Sequence, residues 1–255
     1  MSGSAYEPCG RWHTRLPIEA YASRTGTRKN LDALRRAGWR LMVSARGVLR
    51  HEGMPYALDN GAWTAFQNGE TFDESAFGRA VDAMGEHADF VVVPDIVAGG
   101  LESLEFSLRW LDRLCGLGAP MALAVQDGMT AADVTPHLGA GREKAQVIFV
   151  GGSTEWKLAS LPIWMELARQ RHVHCHVGRV NTLKRIKYCV GCGANSFDGS
   201  GPSRFASEIP KLDACRRTHD IFNPPPQPWQ PETDAERAYW DYYDLGNAAF
   251  NLCHS

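Results

Sequence analysis

No stretch of this 255-residue chain approaches the ~20 consecutive apolar residues that a membrane-spanning helix needs. Charge of one sign is not in excess either: 27 Lys and Arg against 29 Asp and Glu leave a formal charge of -2 and a pI near 6.5. No global field therefore draws the chain to a polyanion, and any such contact must come from a local patch. The seven cysteines are odd in number and lack disulfide-like spacing. With no signal peptide at the start, a soluble cytoplasmic protein with reduced thiols and no membrane partner is expected. Internal repeats of the solenoid kind are missing too.

What is present is enough apolar material, 44% of residues, for one sizeable core. Eight short apolar runs recur: Ile18 to Ala22, Leu41 to Ser44, Tyr56 to Leu58, Phe90 to Val93, Met121 to Val125, Val147 to Val150, Val173 to Val177 and Asn195 to Phe197. Segments of helical spacing fall between most of them: Thr27 to Ala37, Glu74 to His87, Ser103 to Leu114, a weaker one over Ala131 to Leu138, Leu161 to Gln170 and Thr182 to Val190. Near-continuous apolar strands imply a parallel sheet covered on both faces. The expected fold is α/β, a single (β/α)8 barrel over residues 16–220, preceded by a segment over 1–15. An open doubly wound sheet is the alternative that alternation alone permits. Residues 221–255 read as a proline-rich connector, Ile221 to Trp229, and an aromatic-crowded helical segment packing back on the barrel, with a partner-binding motif as the alternative.

In such a barrel chemistry sits at the C-terminal strand ends. Those ends carry Asp59-Asn60-Gly61-Ala62-Trp63, Pro94-Asp95-Ile96, Gln126-Asp127-Gly128, Gly151-Gly152-Ser153, His176-Val177-Gly178-Arg179 and Phe197-Asp198-Gly199. Each alone can be a turn former or a helix cap. Together they suit a flat, hydrogen-bonding heterocycle. Carboxylates accept from ring N–H and amino groups, an amide and glycine N–H groups donate to a carbonyl, and an aromatic stacks on the ring. Guanine offers that edge, and a further aspartate could attack the anomeric carbon of its pentose.

The stretches Asp59-Asn60-Gly61-Ala62-Trp63, Val125-Gln126-Asp127-Gly128, Val150-Gly151-Gly152, His176-Val177-Gly178 and Ser196-Phe197-Asp198-Gly199-Ser200-Gly201-Pro202-Ser203-Arg204 resemble, in order and spacing, the signature stretches of the tRNA-guanine transglycosylase superfamily. The resemblance runs from about Leu58 to Arg204. It implies that Asp198 is the nucleophile, Asp59 the general acid/base, and Trp63 a ring stacking on the base. Asp95, Gln126 and the Gly151-Gly152 backbone would read the guanine edge, and Cys175 or His176 would cover the ring's other face. Arg204 would lie near the nucleic-acid backbone. Apart from the resemblance, Arg179, Lys184, Arg185 and Lys187 form a local basic cluster, joined by Arg204, Arg216 and Arg217, whose two readings are phosphate contact beside the barrel mouth and solvated helix faces.

One departure is informative. Family members acting on tRNA carry a Cys-x-Cys-x-x-Cys zinc run after the nucleophile; here only Cys215 and His219 follow before the tail. The compact form looks like the DNA-directed branch of bacteria and phages, which exchanges guanine in DNA for a 7-deazaguanine such as preQ0. DNA is then the expected polymer partner, a guanine or 7-deazaguanine base the small one, a helper protein is possible, and no cofactor is expected. Alternatives are a tRNA substrate, an N-glycoside hydrolase with water as acceptor, a catalytically silent nucleic-acid-binding barrel, and a metal-dependent hydrolase using His172, His174 and His176 on one strand face. Cys189, Cys192, Cys215 and His219 have the residue types of a zinc site, though buried free cysteine is the commoner state.

Overall fold

In the computed structural model, which describes residues 17–24, 27–204, 206–217, 228–231 and 233, all eight apolar runs form strands. They are β1 (Glu19–Ser23), β2 (Arg40–Ser44), β3 (Tyr56–Asp59), β4 (Val91–Val92), β5 (Met121–Val125), β6 (Val147–Val150), β7 (His174–Val177) and β8 (Ser196–Gly199). Each pairs in parallel with the next, and β8 returns to β1 with Tyr21 opposite Asp198, closing the barrel in chain order. Closure excludes the open doubly wound sheet. The protein is a (β/α)8 barrel.

The helices are α1 (Arg28–Ala37), α2 (Ala62–Gln67), α3 (Glu74–Met84), α4 (Gly100–Arg113), α5 (Ala131–Val134), α6 (Thr154–Arg171), α7 (Leu183–Cys192), α8 (Gly201–Arg204) and α9 (Ile209–Arg217). Sequence spacing placed α6 seven residues too late because Pro162 resembles a helix start. The chain instead turns at Ser153, whose hydroxyl accepts from the Trp156 N–H, and carries Pro162 inside the helix. The weaker segment after Thr130 is one α-turn and then a 3-10 turn over Thr135–His137. Helices α2 and α9 were not foreseen; α2 is short and carries Trp63 and Phe66 on its exposed side.

Alternation along each strand sorts the residues. Outward side chains such as Leu58, Leu123, Cys175 and Phe197 pack under the helices. Inward ones form a separate inner cluster of Tyr21, Met42, Ala57, Phe90, Val92, Ala122 and Val147, with Phe149 against it. The lower end of the barrel is polar: Arg40 bridges Glu19 at 2.8 Å and Asp89 at 2.7 Å, and the Tyr21 hydroxyl donates to Asp89 at 3.1 Å.

Helix α9 seals the same end. The buried Arg216 guanidinium donates to the Ile18 carbonyl at 3.1 Å, the Ala37 carbonyl at 2.8 Å and Asp213 at 2.7 Å. Arg217 also binds Asp213 and the Ala37 carbonyl. Neither arginine belongs to a basic surface at the upper mouth, and Arg185 is likewise buried in α7.

Residues 1–15 and most of 221–255 lie outside the described residues. Of the tail, Trp229 packs edge-on to Tyr188 at 5.1 Å and donates to Glu155 at 3.3 Å. Among the described residues no helix is long and apolar enough to cross a membrane. Arg216→Ala should cost about 2 kcal/mol in urea unfolding, because it leaves the Ile18 carbonyl without its side-chain donor and removes one of the donors to Asp213 and to the Ala37 carbonyl, which keep Arg217. A loss below about 1 kcal/mol would show that water replaces the guanidinium.

Candidate active site

The C-terminal ends of β3 to β8 meet at the upper mouth. Inward parity on β8 puts Ser196 and Asp198 in the barrel lumen, and on β7 it puts His174 and His176 there. These four side chains form a chain of hydrogen bonds: His174 Nε2 to Ser196 Oγ at 2.5 Å, Ser196 Oγ to His176 Nδ1 at 2.7 Å, and His176 Nε2 to Asp198 Oδ1 at 3.0 Å. Proton counting gives the chain a direction. With Asp198 ionised, His176 Nε2 must donate to it, and a neutral ring then leaves Nδ1 as acceptor for the one Ser196 proton. Ser196 in turn accepts from His174, whose burial, with His176 and Arg40 nearby, holds its pKa well below 6.5 and keeps it neutral. The His176 ring is fixed between Phe149, stacked at 4.9 Å, and Phe90 at 5.1 Å.

Asp198 is 9% exposed. Its Oδ1 takes the bond from His176 and a longer one from the Arg179 N–H at 3.3 Å. No described residue donates to Oδ2, which leaves that oxygen for a reacting atom. Behind it, Asn181 Oδ1 accepts from the Ser200 and Gly201 N–H groups at 2.8 and 3.3 Å, tying the loop after β7 to the loop after β8. Gly199 permits that approach: a Cβ there would lie 2.6 Å from Asn181 Oδ1 and 2.7 Å from the Val180 carbonyl.

Asp59 ends β3 beside Ser44 of β2, and its Oδ2 accepts from the Gly61 N–H at 3.1 Å. Burial first, then the Asp198 and Asp95 charges, pushes the Asp59 carboxyl up to about 7. Near neutral pH it can therefore both hold and release a proton. Asp95 is also raised by burial, opposed by Asn60 and by the Arg179 charge. The Asn60 amide fixes it, donating to Asp95 Oδ1 and to the Val93 carbonyl, each at 2.8 Å.

Gln126 is buried at the end of β5, and both its N–H donors are in use, on the Ile96 carbonyl at 3.0 Å and on Ser103 Oγ at 2.7 Å. Because the Ile96 carbonyl can only accept, the amide is oriented, and Gln126 can offer a ligand its carbonyl but not the donor expected from sequence. Gly151 differs from expectation in the same way: its N–H is in the sheet, bonded to Val125 O at 2.8 Å. Gly152 turns out of the strand with φ +75°, where a Cβ would lie 2.5 Å from Asp127 Oδ2. Asp127 itself is committed to the Ser153 N–H and hydroxyl, both at 2.6 Å, and these bonds hold its carboxyl below its ordinary value despite burial.

Trp63 stands at the rim, 36% exposed, but one face is covered by the Arg179 guanidinium, 4.0 Å from the ring centroid. Arg179 also donates to the Gly152 carbonyl, so it spans the mouth. A base stacking on that face of Trp63 would have to displace it.

Other expected residues are dispersed. Cys175 points outward from β7 toward Cys189 and Cys192 of α7, so it does not line the mouth; only His176 does. His172 is not on β7: it caps α6 in the left-handed conformation with φ +53°, so the three histidines do not share one strand face. Among the described residues no three His, Cys, Asp or Glu side chains form a metal-binding group. Cys215 sits on α9 with Sγ near the Leu183 carbonyl, and His219 lies outside the described residues. Lys184 is exposed on α7, its ammonium 5.3 Å from the Trp229 ring centroid. Arg204 ends α8, and its side chain is outside the described residues. The preceding Ser203 is a seam residue, donating to the Ser23 carbonyl at 2.6 Å.

Sequence reading passed over Lys157, Asn181 and Ser196. Lys157 is fully buried on α6, and its Nζ donates to the Gly178 carbonyl. Burial, with Arg179 and Arg185 nearby, pulls its pKa down to about 7, while Asp198 pulls the other way. The available signal was a Lys heading the apolar stripe 157, 161, 164 and 168 of α6.

No protein-family model matches this chain, and no curated protein matches it either.

The raised Asp59 carboxyl has a stability consequence. The folded protein keeps a proton that the unfolded chain loses above its ordinary value of 3.8. This contribution is fully present below that value and is lost as pH rises toward about 7. Asp59→Asn, which cannot ionise, should therefore gain stability relative to the wild type as the buffer moves from about pH 4 to about pH 8. Urea unfolding at the two values checks this; an advantage that shrinks with rising pH would contradict it.

Proposed function

We propose that this barrel is a pentosyltransferase that exchanges guanine in DNA for a 7-deazaguanine base through a covalent aspartyl-glycosyl intermediate. The observation that carries this reading is the Asp198 carboxylate, fixed through Oδ1 and open at Oδ2, with the proton-holding Asp59 electrostatically coupled to it across the mouth. A nucleophilic carboxylate beside a carboxyl that titrates near neutrality is the pairing that retaining glycosyl transfer requires.

In the first step Asp198 Oδ2 attacks C1′, the C1′–N9 bond breaks with its electron pair going to guanine, and the protonated Asp59 supplies the proton the departing base needs. In the second, Asp59, now a carboxylate, takes the N9 proton of the incoming 7-deazaguanine. That nitrogen attacks C1′, and the C1′–Oδ2 bond breaks to return the electron pair to Asp198. Two inversions give net retention, and both carboxyl groups end as they began.

The fixed Asp95 carboxylate and the Gln126 carbonyl are acceptors suited to the N–H edge of guanine. Asp198 is only 9% exposed, so a nucleotide in duplex DNA must leave the stack to reach it, at a cost of about a few kcal/mol.

The test is incubation with labelled guanine or preQ0 alongside duplex DNA and tRNA, scoring label in each polymer. Wild-type protein should label DNA, and Asp198→Asn should lower the rate by about 1,000-fold or more while base binding persists. Label in tRNA alone would move the substrate to RNA. Release of guanine without incorporation would favour hydrolysis, and a fully active Asp198→Asn protein would overturn the mechanism.

A further inference from the structure

The peptide unit joining Gly178 to Arg179 is gripped at both ends. Its carbonyl oxygen accepts from Lys157 Nζ at 2.5 Å, and its N–H donates to Asp198 Oδ1 at 3.3 Å. Lys157 is 0% exposed and makes no ion pair with any described carboxylate, although the Asp198 charge acts on it. A buried amine without a counter-ion is costly, and a single carbonyl bond on a helix needs no lysine.

The backbone gives the reason for it. Arg179 has φ +56°, a left-handed value that non-glycine residues adopt only under constraint. Turning the Gly178–Arg179 peptide over would move that φ into the ordinary extended region and relieve the strain. The same flip would present the Gly178 carbonyl oxygen to the Asp198 carboxylate, where two acceptors repel. It would also withdraw the N–H that, with His176, fixes Oδ1. Gly178 cannot supply rigidity through a side chain, since a Cβ there would lie 2.8 Å from the Phe149 ring.

We propose that Lys157 is a positioning residue for the nucleophile: its Nζ–H clamps the Gly178 carbonyl, holds the strained peptide with its N–H toward Asp198, and polarises that N–H as a donor. The inference rests on the transglycosylase reading for its kinetic consequence but not for its structural one. Through Arg179 the same clamp sets the cation that spans Gly152 and Trp63.

Lys157→Met keeps the stem and its packing but cannot donate. The expected result is a folded protein in which covalent glycosyl-enzyme forms about 100-fold more slowly, with the KM for the base changed less than about threefold. In parallel, the Arg179 amide proton resonance should move upfield as its bond to Asp198 is lost, while the Gly61 amide, bonded to Asp59, stays in place. Lys157→Gln, which retains an N–H donor on a shorter stem, should restore part of both effects. It carries the same readouts if Lys157→Met does not fold. An unchanged Arg179 resonance in Lys157→Met, or a rate within about threefold of wild type, would overturn the clamp. If wild-type protein transfers no base to any polymer, the transglycosylase reading fails, and the Arg179 resonance still decides the clamp by itself.

Discussion

Closure of β8 against β1 is the constraint from which the rest follows. Once Tyr21 lies opposite Asp198 and the ring is complete, alternate residues of all eight strands must face a lumen too narrow for water-filled space, and each must be packed or hydrogen-bonded there. Apolar side chains fill the middle. Polar ones are driven to the two ends, and the ends differ. The lower one neutralises its acids with Arg40, whereas at the upper one Asp59 and Asp198 lie in mutual reach with no described arginine or lysine ion-paired to either. An acid cluster left in that condition cannot be fully ionised at neutral pH.

That imbalance sorts the carboxyl groups by their immediate donors. Asp127 has two short bonds from Ser153 that hold its carboxyl below its ordinary value; Asp198 has His176 and the Arg179 N–H on one oxygen; Asp95 has Asn60; Asp59 has the Gly61 N–H against burial and its neighbours. The proton that the cluster keeps therefore falls on Asp59. Burial first, then the neighbouring charges and the sparse hydrogen-bond supply, thus set the Asp59 carboxyl apart from its neighbours, since the residue type is the same throughout.

Support for this arrangement lies in groups that touch no ligand. His174 and Ser196 orient His176, Asn181 ties two loops together behind Asp198, Asn60 fixes Asp95, and Lys157 holds the carbonyl side of a strained peptide. Each is buried, and each spends its hydrogen bonds on backbone or on another side chain of the site. Such residues make a constellation rigid at the cost of desolvation, which is a use of buried polar groups that packing alone does not explain.

The strands were legible because a parallel barrel buries both faces of each one, and continuous apolar runs such as Phe90 to Val93 have no other economical fate. Asp59, Asp95 and Asp198 could be placed at strand ends for the same reason, since a carboxylate just after such a run must surface at the barrel's rim. Local sequence could not tell whether the sheet closed, because closure is a pairing between residues about 180 positions apart, such as Tyr21 and Asp198. Nor could it orient Cys175 away from the mouth, place His172 on a helix cap, or show that the donors of Gln126 and Gly151 were already taken, since each depends on which neighbour arrives first in space. The sequence by itself determined where the chain must be buried and where it must turn. Only the tertiary structure decided which buried polar groups meet, and so which carboxyl keeps its proton, because hydrogen-bond supply and desolvation are properties of the assembled neighbourhood and not of any residue in it.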